Sequence, residues 1–294
     1  MSKNQPSVSA PRTVKPPRSL RTFLCVPMYT WAIIFVGIPL LYVVGVSFLS
    51  RNASWGVGDT LTLDSYRMLL DPAYFKVFLD SFKTAFLCCC ATVLIGYPFA
   101  YLMAKSSPKR RTLLMVLVIV PFWTSALIRT YGWMILLRAN GPINNFLRML
   151  GIIKKPLKLL YTQGAVLLGI VYTLLPFMIL PCYTAIERMD WRTVEAARDL
   201  GATSRKAFFT ITLPMTLSGV ISGITLTFVP SMGMFFISDL MGGGKSILVG
   251  NLIQDQLTKG RNMPFGAALA VAMLLMTALV LWIQRKSGAE TSLF

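Results

Sequence analysis

Long apolar stretches recur along the chain and are separated by shorter polar segments. Most of these stretches hold roughly 20 residues with few charges, which is the length that a helix needs to cross a hydrocarbon layer about 30 Å thick. The pattern therefore predicts an all-α integral membrane protein with six transmembrane helices. The predicted spans are residues 23–49, 81–104, 113–128, 165–186, 213–237 and 265–283.

A basic segment precedes the first predicted span. Residues 1–22 contain five basic residues, four prolines and no acidic residue, which is typical of a disordered cytoplasmic tail. Residues 23–294 then form the transmembrane domain. The first span is too long for a signal-peptide core and has no small-residue cleavage site, so we expect it to be retained.

Charge gives the expected orientation. Six spans place both termini on one side, and basic residues are denser in the segments on that side, so the termini are expected in the cytoplasm. The outer segment between the third and fourth spans also carries basic residues, including Arg138, Arg148 and Lys154, and counts against this topology if it is considered alone.

Composition excludes several other classes of protein. The chain is 55% hydrophobic and 14% charged, with a mean hydropathy of +0.63, which does not fit a soluble domain. The net charge of +18 lies between apolar stretches, so it indicates topology rather than nucleic-acid binding. There is no histidine, and the five cysteines lie in apolar stretches. We therefore expect no metal site, no disulfide framework and no catalytic residues.

One segment between the fourth and fifth spans has a distinctive pattern. Asp190 can cap the start of a short helix that ends near Leu200. The following residue, Gly201, can adopt the left-handed conformation that often ends a helix. The pattern is Glu-Ala-Ala, three residues, Gly, nine residues and Ile-x-Leu-Pro. It is carried by Glu195, Ala196, Ala197, Gly201, Ile211, Leu213 and Pro214.

This pattern resembles the coupling loop of the membrane subunits of ATP-binding-cassette (ABC) importers. The resemblance implies a type I ABC importer transmembrane domain, with a permease core at about 77–284 and a cytoplasmic coupling segment at 190–204 that docks on an ABC ATPase dimer. Small alanines allow close helix packing and a glutamate supplies a charged contact. An ordinary amphipathic surface helix is the alternative, and it explains Trp191 and Val194 but not the spacing to Leu213.

A second motif invites a nucleotide-binding interpretation. The residues Gly242-Gly243-Gly244-Lys245-Ser246 end like a phosphate-binding loop, but Asp239 stands where that motif requires its first glycine. A flexible turn is the simpler interpretation. We expect no cofactor on this chain and no enzymatic activity of its own, because ATP would be bound and hydrolysed by the separate ATPase subunit.

Further stretches resemble spermidine/putrescine importer permeases, and among them the B-type subunit of the spermidine-preferring system. This resemblance implies that the chain lies in the lipid of a bacterial inner membrane and forms a heterodimer with a second permease. The heterodimer would import polyamines delivered by a periplasmic polyamine-binding protein. The stretches include 96–100, 120–129, 144–147, 175–178, 238–243 and 264–268. The chain departs from this resemblance at two places. Met234 stands where relatives of the putrescine-preferring branch often carry a glutamate, and Arg261-Asn262-Met263 stands where many relatives have Arg-Asp-Trp.

A path for a polycation needs carboxylates and aromatic faces. The candidates are Asp80 at the start of the second span, Asp239 at the outer end of the fifth span, and Trp123, Tyr131 and Trp133 near the end of the third. The alternative is that the acids cap helices and the aromatic residues form an interfacial belt.

Other functions stay open. The coupling pattern is shared by importers of iron, thiamine, phosphonate or opines. An ion-gradient-driven transporter should show inverted repeats and broken spans, which the sequence does not show. A membrane enzyme would need a metal cluster or a nucleophile with its base.

Overall fold

The computed structural model describes residues 26–52 and 56–286. The chain divides into two compact units, the first ending at Gly45 and the second beginning at Val46. The predicted tail 1–22 lies outside the described residues. In the first unit lies most of α1 (Val26–Ser47), which contains a π-helical segment, Ile33–Gly37. Its large apolar side chains are mostly exposed, as a lipid-facing helix requires.

The second unit is almost entirely helical. A two-stranded antiparallel sheet pairs Leu49 with Leu61 and Arg51 with Val57. The elements are β1 (Leu49–Arg51), β2 (Val57–Leu61), α2 (Asp64–Leu69), α3 (Pro72–Lys105), α4 (Pro108–Ile119), a 3₁₀ turn (Val120–Trp123), α5 (Ala126–Leu137), α6 (Pro142–Met149), α7 (Gln163–Arg188), α8 (Trp191–Asp199), α9 (Ser204–Gly233), α10 (Phe235–Gly242), α11 (Val249–Thr258) and α12 (Met263–Lys286).

Proline begins three of these helices. Pro72, Pro108 and Pro142 are the first residues of α3, α4 and α6. Proline fits this position because the first N–H groups of a helix have no internal partner. At α3 the preceding Asp71 side chain also accepts a hydrogen bond from the N–H of Ala73 at 2.9 Å. Local sequence thus sets where these helices start.

Within the described residues, five helices are long and apolar enough to cross a membrane: α1, α3, α7, α9 and α12. A sixth span is present if the bent pair Pro108–Trp123 and Ala126–Met149 is counted as one. The predicted all-helical, six-span fold is confirmed with this qualification.

The third predicted span is not a continuous helix. Its two halves are bent by 98° at Thr124 and Ser125. Pro121 lacks the N–H that a continuous α-helix would use, and the chain tightens into a 3₁₀ turn there. Across the bend, Arg129 Nη1 donates a hydrogen bond to the carbonyl of Pro121 at 2.6 Å, and its guanidinium lies 4.6 Å from the Phe122 ring centre. The predicted span over 113–128 is therefore divided by a sharp bend just after Pro121.

The fifth predicted span is also interrupted. The helix α9 begins at Ser204, earlier than predicted, and ends at Gly233. Met234 leaves helical geometry with ψ 64°, and α10 follows as a separate element. The close packing of Gly250 against the Gly233 carbonyl places α11 at this break, where a Cβ on Gly250 would lie 2.6 Å from the Gly233 oxygen.

The helices α3, α7 and α9 pack around one another at glycine positions. A Cβ at Gly96 would lie 2.9 Å from Met178 Cγ, and one at Gly219 would lie 2.5 Å from the Ala185 methyl group. Small residues allow such close helix contact in a membrane, where packing rather than water exclusion drives association. The buried cysteines Cys88, Cys89 and Cys182 lie in this core.

Candidate functional site

The helix α8 begins as the sequence predicts. Asp190 precedes it, and its Oδ1 accepts a hydrogen bond from the backbone N–H of Arg192 at 3.0 Å. This bond satisfies one of the N–H groups that a helix start leaves without a partner. The predicted Asp190 cap is therefore confirmed.

The end of α8 also has the predicted geometry. Gly201 has φ 89°, in the left-handed region. Its N–H donates to the Arg198 carbonyl, and the N–H of Ala202 donates to the Ala197 carbonyl, both at 2.9 Å. These two bonds form a Schellman motif. A Cβ at Gly201 would meet nothing within 4 Å, so backbone conformation rather than space favours glycine here.

The surface of α8 is open. No side chain of this helix is buried: Glu195 and Ala196 are exposed, and Ala197 is half-buried. At its end Leu200 is 89% exposed. The side chains of the predicted coupling pattern are thus accessible to a second protein.

Aromatic rings attach α8 to the long helices. The Trp191 ring centre lies 5.9 Å from that of Tyr101 on α3. Phe208 on α9 lies 5.9 Å from Tyr101 and 6.0 Å from Tyr97. The ammonium of Lys105 lies 4.6 Å from the Tyr101 ring and 5.0 Å from the Trp191 ring. We call Tyr97, Tyr101, Trp191 and Phe208 the aromatic cluster, and it joins α8 to both α3 and α9.

Two further features lie at this end of the bundle, next to α8. Phe208 begins a π-helical segment, Phe208–Thr212, an irregularity that is frequent at functional sites. Arg111 on α4 forms an ion pair with Glu187 on α7, with 2.7 Å between Nη1 and Oε1. The ion pair therefore links the start of α4 to the end of α7, close to the start of α8.

Asp80 does not occupy its predicted place. The helix α3 begins at Pro72, so Asp80 lies inside the helix, and the cap is Asp71 instead. The Asp80 carboxylate lies 3.8 Å from the Lys83 ammonium one turn later. The hydropathy pattern places the start of this span too late, because the charged residues Lys76 and Asp80 interrupt the apolar residues in the first turns of α3.

The expected aromatic cluster on the third span does not form. Trp123 and Tyr131 lie on either side of the 98° bend, and both are exposed, Trp123 by 82%. Trp133 instead packs on Tyr172 of α7 with ring centres 5.5 Å apart.

Asp239 lies in the middle of α10 rather than at the end of the fifth span. Its side chain is exposed, and its Oδ1 accepts a hydrogen bond from Asn251 Nδ2 at 2.6 Å. Asn251 is 4% exposed and also donates to the Phe235 carbonyl at 3.0 Å. Its Oδ1 accepts from the N–H of Leu248 at 2.9 Å. A buried amide thus holds the Asp239 carboxylate.

Farther along α11, Asp255 forms an ion pair with Lys259, with 2.7 Å between Oδ1 and Nζ. The hydrogen bond and the charge of this carboxylate raise the pKa of the Lys259 ammonium above its ordinary value.

A cavity of about 450 Å³ opens beside Asp239. It is lined by Met134, Tyr161, Asp239, Leu240, Gly243 and Lys245.

Sequence reasoning did not single out Tyr161 or Asn251. Tyr161 is remote in sequence from Asp239, and Asn251 lies on a different helix. No local motif marks either residue. The contacts described for Asp80, Trp123, Tyr131 and Asp239 do not bring any two of these four residues together.

Residues 96–289 match a family model described as "Binding-protein-dependent transport system inner membrane component". This match covers well over half of the chain. The chain belongs to this family.

Curated relatives in this family are similar over nearly their whole length. The chain is 45% identical over 260 residues to the spermidine/putrescine transport system permease protein PotB of Escherichia coli (strain K12), covering 88% of this chain and 94% of the relative. It is 44% identical to PotB of Haemophilus influenzae, covering 89% and 91%. An Escherichia coli inner membrane ABC transporter permease protein, YdcU, is 29% identical.

Solved structures share the fold. A bacterial alginate ABC transporter in complex with an alginate-bound periplasmic protein has a TM-score of 0.71 at 15% identity, covering 93% of this chain and 96% of that chain. The methionine transporter MetNI in an inward-facing conformation has a TM-score of 0.54 at 17% identity, covering 74% and 97%. This family member is therefore a membrane-spanning permease subunit of an ABC importer, located in the inner membrane.

Proposed function

We propose that this permease carries polyamines, spermidine or putrescine, into the cytoplasm. The observation that carries the proposal is the 45% identity to a spermidine/putrescine permease over 94% of that relative's length. Similarity at this level extends through the spans and loops, not only through the coupling pattern that importers of different solutes have in common.

The fold alone does not decide the solute. The alginate importer transports an acidic polysaccharide, as its name states, and still shares this architecture at 17% identity. Function on a common fold depends on the side chains of the site. The exposed Asp239 carboxylate supports a cationic solute, because a carboxylate attracts ammonium groups.

The coupling segment 190–204 would dock on a cytoplasmic ABC ATPase dimer. Support comes from the open surface of α8 and from the aromatic cluster, which joins α8 to α3 and α9. A force applied at Glu195, Ala196, Ala197 and Gly201 would reach both long helices through Trp191 and Phe208. Closure of the ATPase subunits would then move these helices and change access to the solute path.

ATP binding and hydrolysis belong to the partner subunit in this proposal, and the permease itself uses no cofactor. The glycine-rich segment that follows α10 supports this assignment. A phosphate-binding loop follows a β-strand and opens a helix, whereas Gly243 ends α10 as a left-handed cap and Gly244 also has a positive φ, of 76°. Ser238 Oγ donates to the Ser246 carbonyl, which holds the turn against α10.

The complete importer in this proposal contains a second permease as heterodimer partner and a periplasmic polyamine-binding protein. Both termini and the coupling segment face the cytoplasm. The helix α7 has 26 residues, which rise about 39 Å at about 1.5 Å per residue, so α8 lies across the membrane from the Asp239 cavity. The solute would enter at the cavity side.

Uptake of labelled spermidine and putrescine tests the proposal. Cells that lack other polyamine importers should accumulate label only when the whole importer is expressed, and vanadate should block that accumulation. A Gly201→Val permease, expressed equally, is the matched control for a permease that inserts in the membrane without its ATPase. Absence of polyamine uptake, with uptake of iron, thiamine, phosphonate or an opine instead, would assign the permease to another solute.

Cysteine labelling tests the orientation separately. A Glu195→Cys permease should react with a membrane-impermeant thiol reagent only after the inner membrane is opened. The unchanged permease gives the background from its own exposed Cys90. Labelling of position 195 in intact cells would place α8 outside and would remove the ATPase contact from the proposal.

A further inference from the structure

Tyr161 has a backbone conformation that is rare for an aromatic residue. Its φ is 63°, in the left-handed region, and only one other residue that is not glycine, Arg261, has a positive φ among those the structure describes. Such a conformation costs free energy on the order of 1–3 kcal/mol and persists only where surrounding contacts impose it. The position of the Tyr161 ring is therefore imposed by its surroundings.

Two contacts impose this position. The N–H of Tyr161 donates to the carbonyl of Met241 on α10 at 3.0 Å. The ring lies against Gly243, where a Cβ would approach the Tyr161 Cδ1 to 2.5 Å. The start of α7 and the end of α10 are thus fitted to each other, and the ring is held at the cavity beside Asp239.

The same cavity is lined by a carboxylate that is held in place. The Asp239 side chain is positioned by the buried Asn251 amide, whose other hydrogen bonds go to the backbone of Phe235 and Leu248. An anionic group and an aromatic ring therefore border one space of about 450 Å³, within the usual range for small-molecule pockets. Met134 and Leu240 provide apolar walls that suit a methylene chain.

We infer that this cavity is a binding site for a primary alkylammonium group, with Asp239 as its anionic partner and Tyr161 as its aromatic wall. A carboxylate forms charge-assisted hydrogen bonds with an ammonium, and an aromatic ring attracts a cation placed within about 6 Å of its centre. The inference rests on the proposed polyamine function for its solute. It adds the place where one end of the polyamine is first held.

Lys245 has a specific role in this site. It is exposed on the cavity wall and carries the same functional group as the solute. The ion pairs found among the described residues do not join Lys245 to Asp239, and the Lys259 ammonium, which the Asp239 charge also attracts, is paired with Asp255 instead. The like charge of Lys245 should weaken solute binding, and its removal should strengthen it.

Uptake kinetics of the whole importer provide the first test. Asp239→Asn should raise the KM for spermidine about tenfold, since the loss of a charge-assisted pair costs more than a neutral hydrogen bond. Tyr161→Asn should raise the KM about threefold to tenfold through loss of the cation–π contact, while asparagine tolerates the left-handed backbone. Tyr161→Phe keeps the aromatic ring, so its KM for spermidine should equal that of the wild type.

Two further variants sharpen this test. Lys245→Gln should lower the KM for spermidine about twofold or more because a repulsive charge is removed. Asp64→Asn removes an exposed acid from α2 that does not line the cavity, and its KM should stay unchanged. If Asp239→Asn and Tyr161→Asn transport spermidine with the wild-type KM, the cavity is not the site, although the polyamine function stands.

Thiol labelling provides a second test that does not depend on transport. In membranes containing the whole importer, a Lys245→Cys permease should react with cationic 2-aminoethyl methanethiosulfonate, and butylammonium or spermidine should slow this reaction. Adding Asp239→Asn should abolish the protection. Protection by butylammonium without polyamine uptake would support the site and overturn the polyamine function. Unchanged labelling rates with both amines would overturn the site.

Discussion

The ammonium of Lys105 lies 5.0 Å from the centre of the Trp191 ring, so the last residue of α3 meets the first residue of α8. The same ammonium lies 4.6 Å from the Tyr101 ring. A cation is also favourable at this position because the C-terminal end of a helix carries a partial negative charge. Lys105 thus stabilises the end of α3 and holds the start of α8 against it.

Replacement of Trp191 should uncouple α8 from the long helices. Trp191→Ala removes the contacts with Tyr101 and Lys105, while Asp190 still caps the helix. Cation–π and ring contacts of this kind contribute about 0.5–2 kcal/mol each. We expect uptake to fall about fivefold or more while the ATPase subunit still co-purifies, measured by solute uptake and by affinity purification of the complex.

Trp191→Phe is the matched control, since it keeps an aromatic ring at the position and should retain most of the uptake. Full uptake by Trp191→Ala would contradict a role of the aromatic cluster in transmission. Loss of ATPase co-purification in that variant would instead assign Trp191 to the docking surface itself.

A bulky residue at Gly201 should prevent the turn after α8. Its φ of 89° disfavours residues with a Cβ, at a cost of about 1–2 kcal/mol. Gly201→Val adds β-branching to that cost, so we expect normal membrane insertion but loss of ATPase co-purification and of uptake. Gly201→Asn should retain more of both, because asparagine tolerates the left-handed region and no atom lies within 4 Å of the new Cβ. Equal co-purification of the valine variant would count against the docking role.

The sequence predicts α8 well because its signals are local. Asp190, the small residues of the helix and Gly201 each favour the observed conformation within a few residues. The spans are predictable for a similar reason, since their length and apolar content reflect the bilayer thickness. The size of the break in the third span is harder to predict, because hydropathy averages over the residues around Thr124 and Ser125 and carries no information about backbone direction.

The cavity beside Asp239 could not be predicted in this way. Tyr161 and Asp239 are brought together by the packing of the α7 start against the α10 end, which depends on Gly243 lying under the ring. Asn251 reaches the Asp239 carboxylate only because α10 and α11 are adjacent. Such contacts between distant segments follow from the tertiary fold rather than from residue spacing.

Packing at Gly219 should be sensitive to side-chain size. A Cβ there would lie 2.5 Å from the Ala185 methyl group and 2.7 Å from the Pro181 carbonyl oxygen. Gly219→Val should therefore separate α9 from α7, and overpacking of this kind costs about 1–3 kcal/mol. We expect a lower Tm of the detergent-purified permease, measured by the loss of its monodisperse chromatographic peak on heating.

The control for this change is Gly132→Ala on α5, where an added Cβ meets nothing within 4 Å. Alanine favours a helix over glycine by about 0.8–1.0 kcal/mol, so this variant should keep or raise the Tm. A valine variant at 219 with an unchanged Tm would show that the contact between α7 and α9 can relax without cost.

Asn251 should support both stability and the position of Asp239. Asn251→Ala leaves the N–H of Leu248 and the Phe235 carbonyl without their side-chain partner inside the protein, and an unsatisfied buried group costs about 1–3 kcal/mol. It also releases the Asp239 carboxylate, so we expect a lower Tm together with a higher KM for uptake.

A double-mutant cycle separates these effects, because Asp239→Asn should lower the Tm little while raising the KM. If the KM effects of the two changes simply add, Asn251 acts on the fold alone. If the second change has little further effect on KM in the presence of the first, Asn251 acts on uptake by positioning that carboxylate.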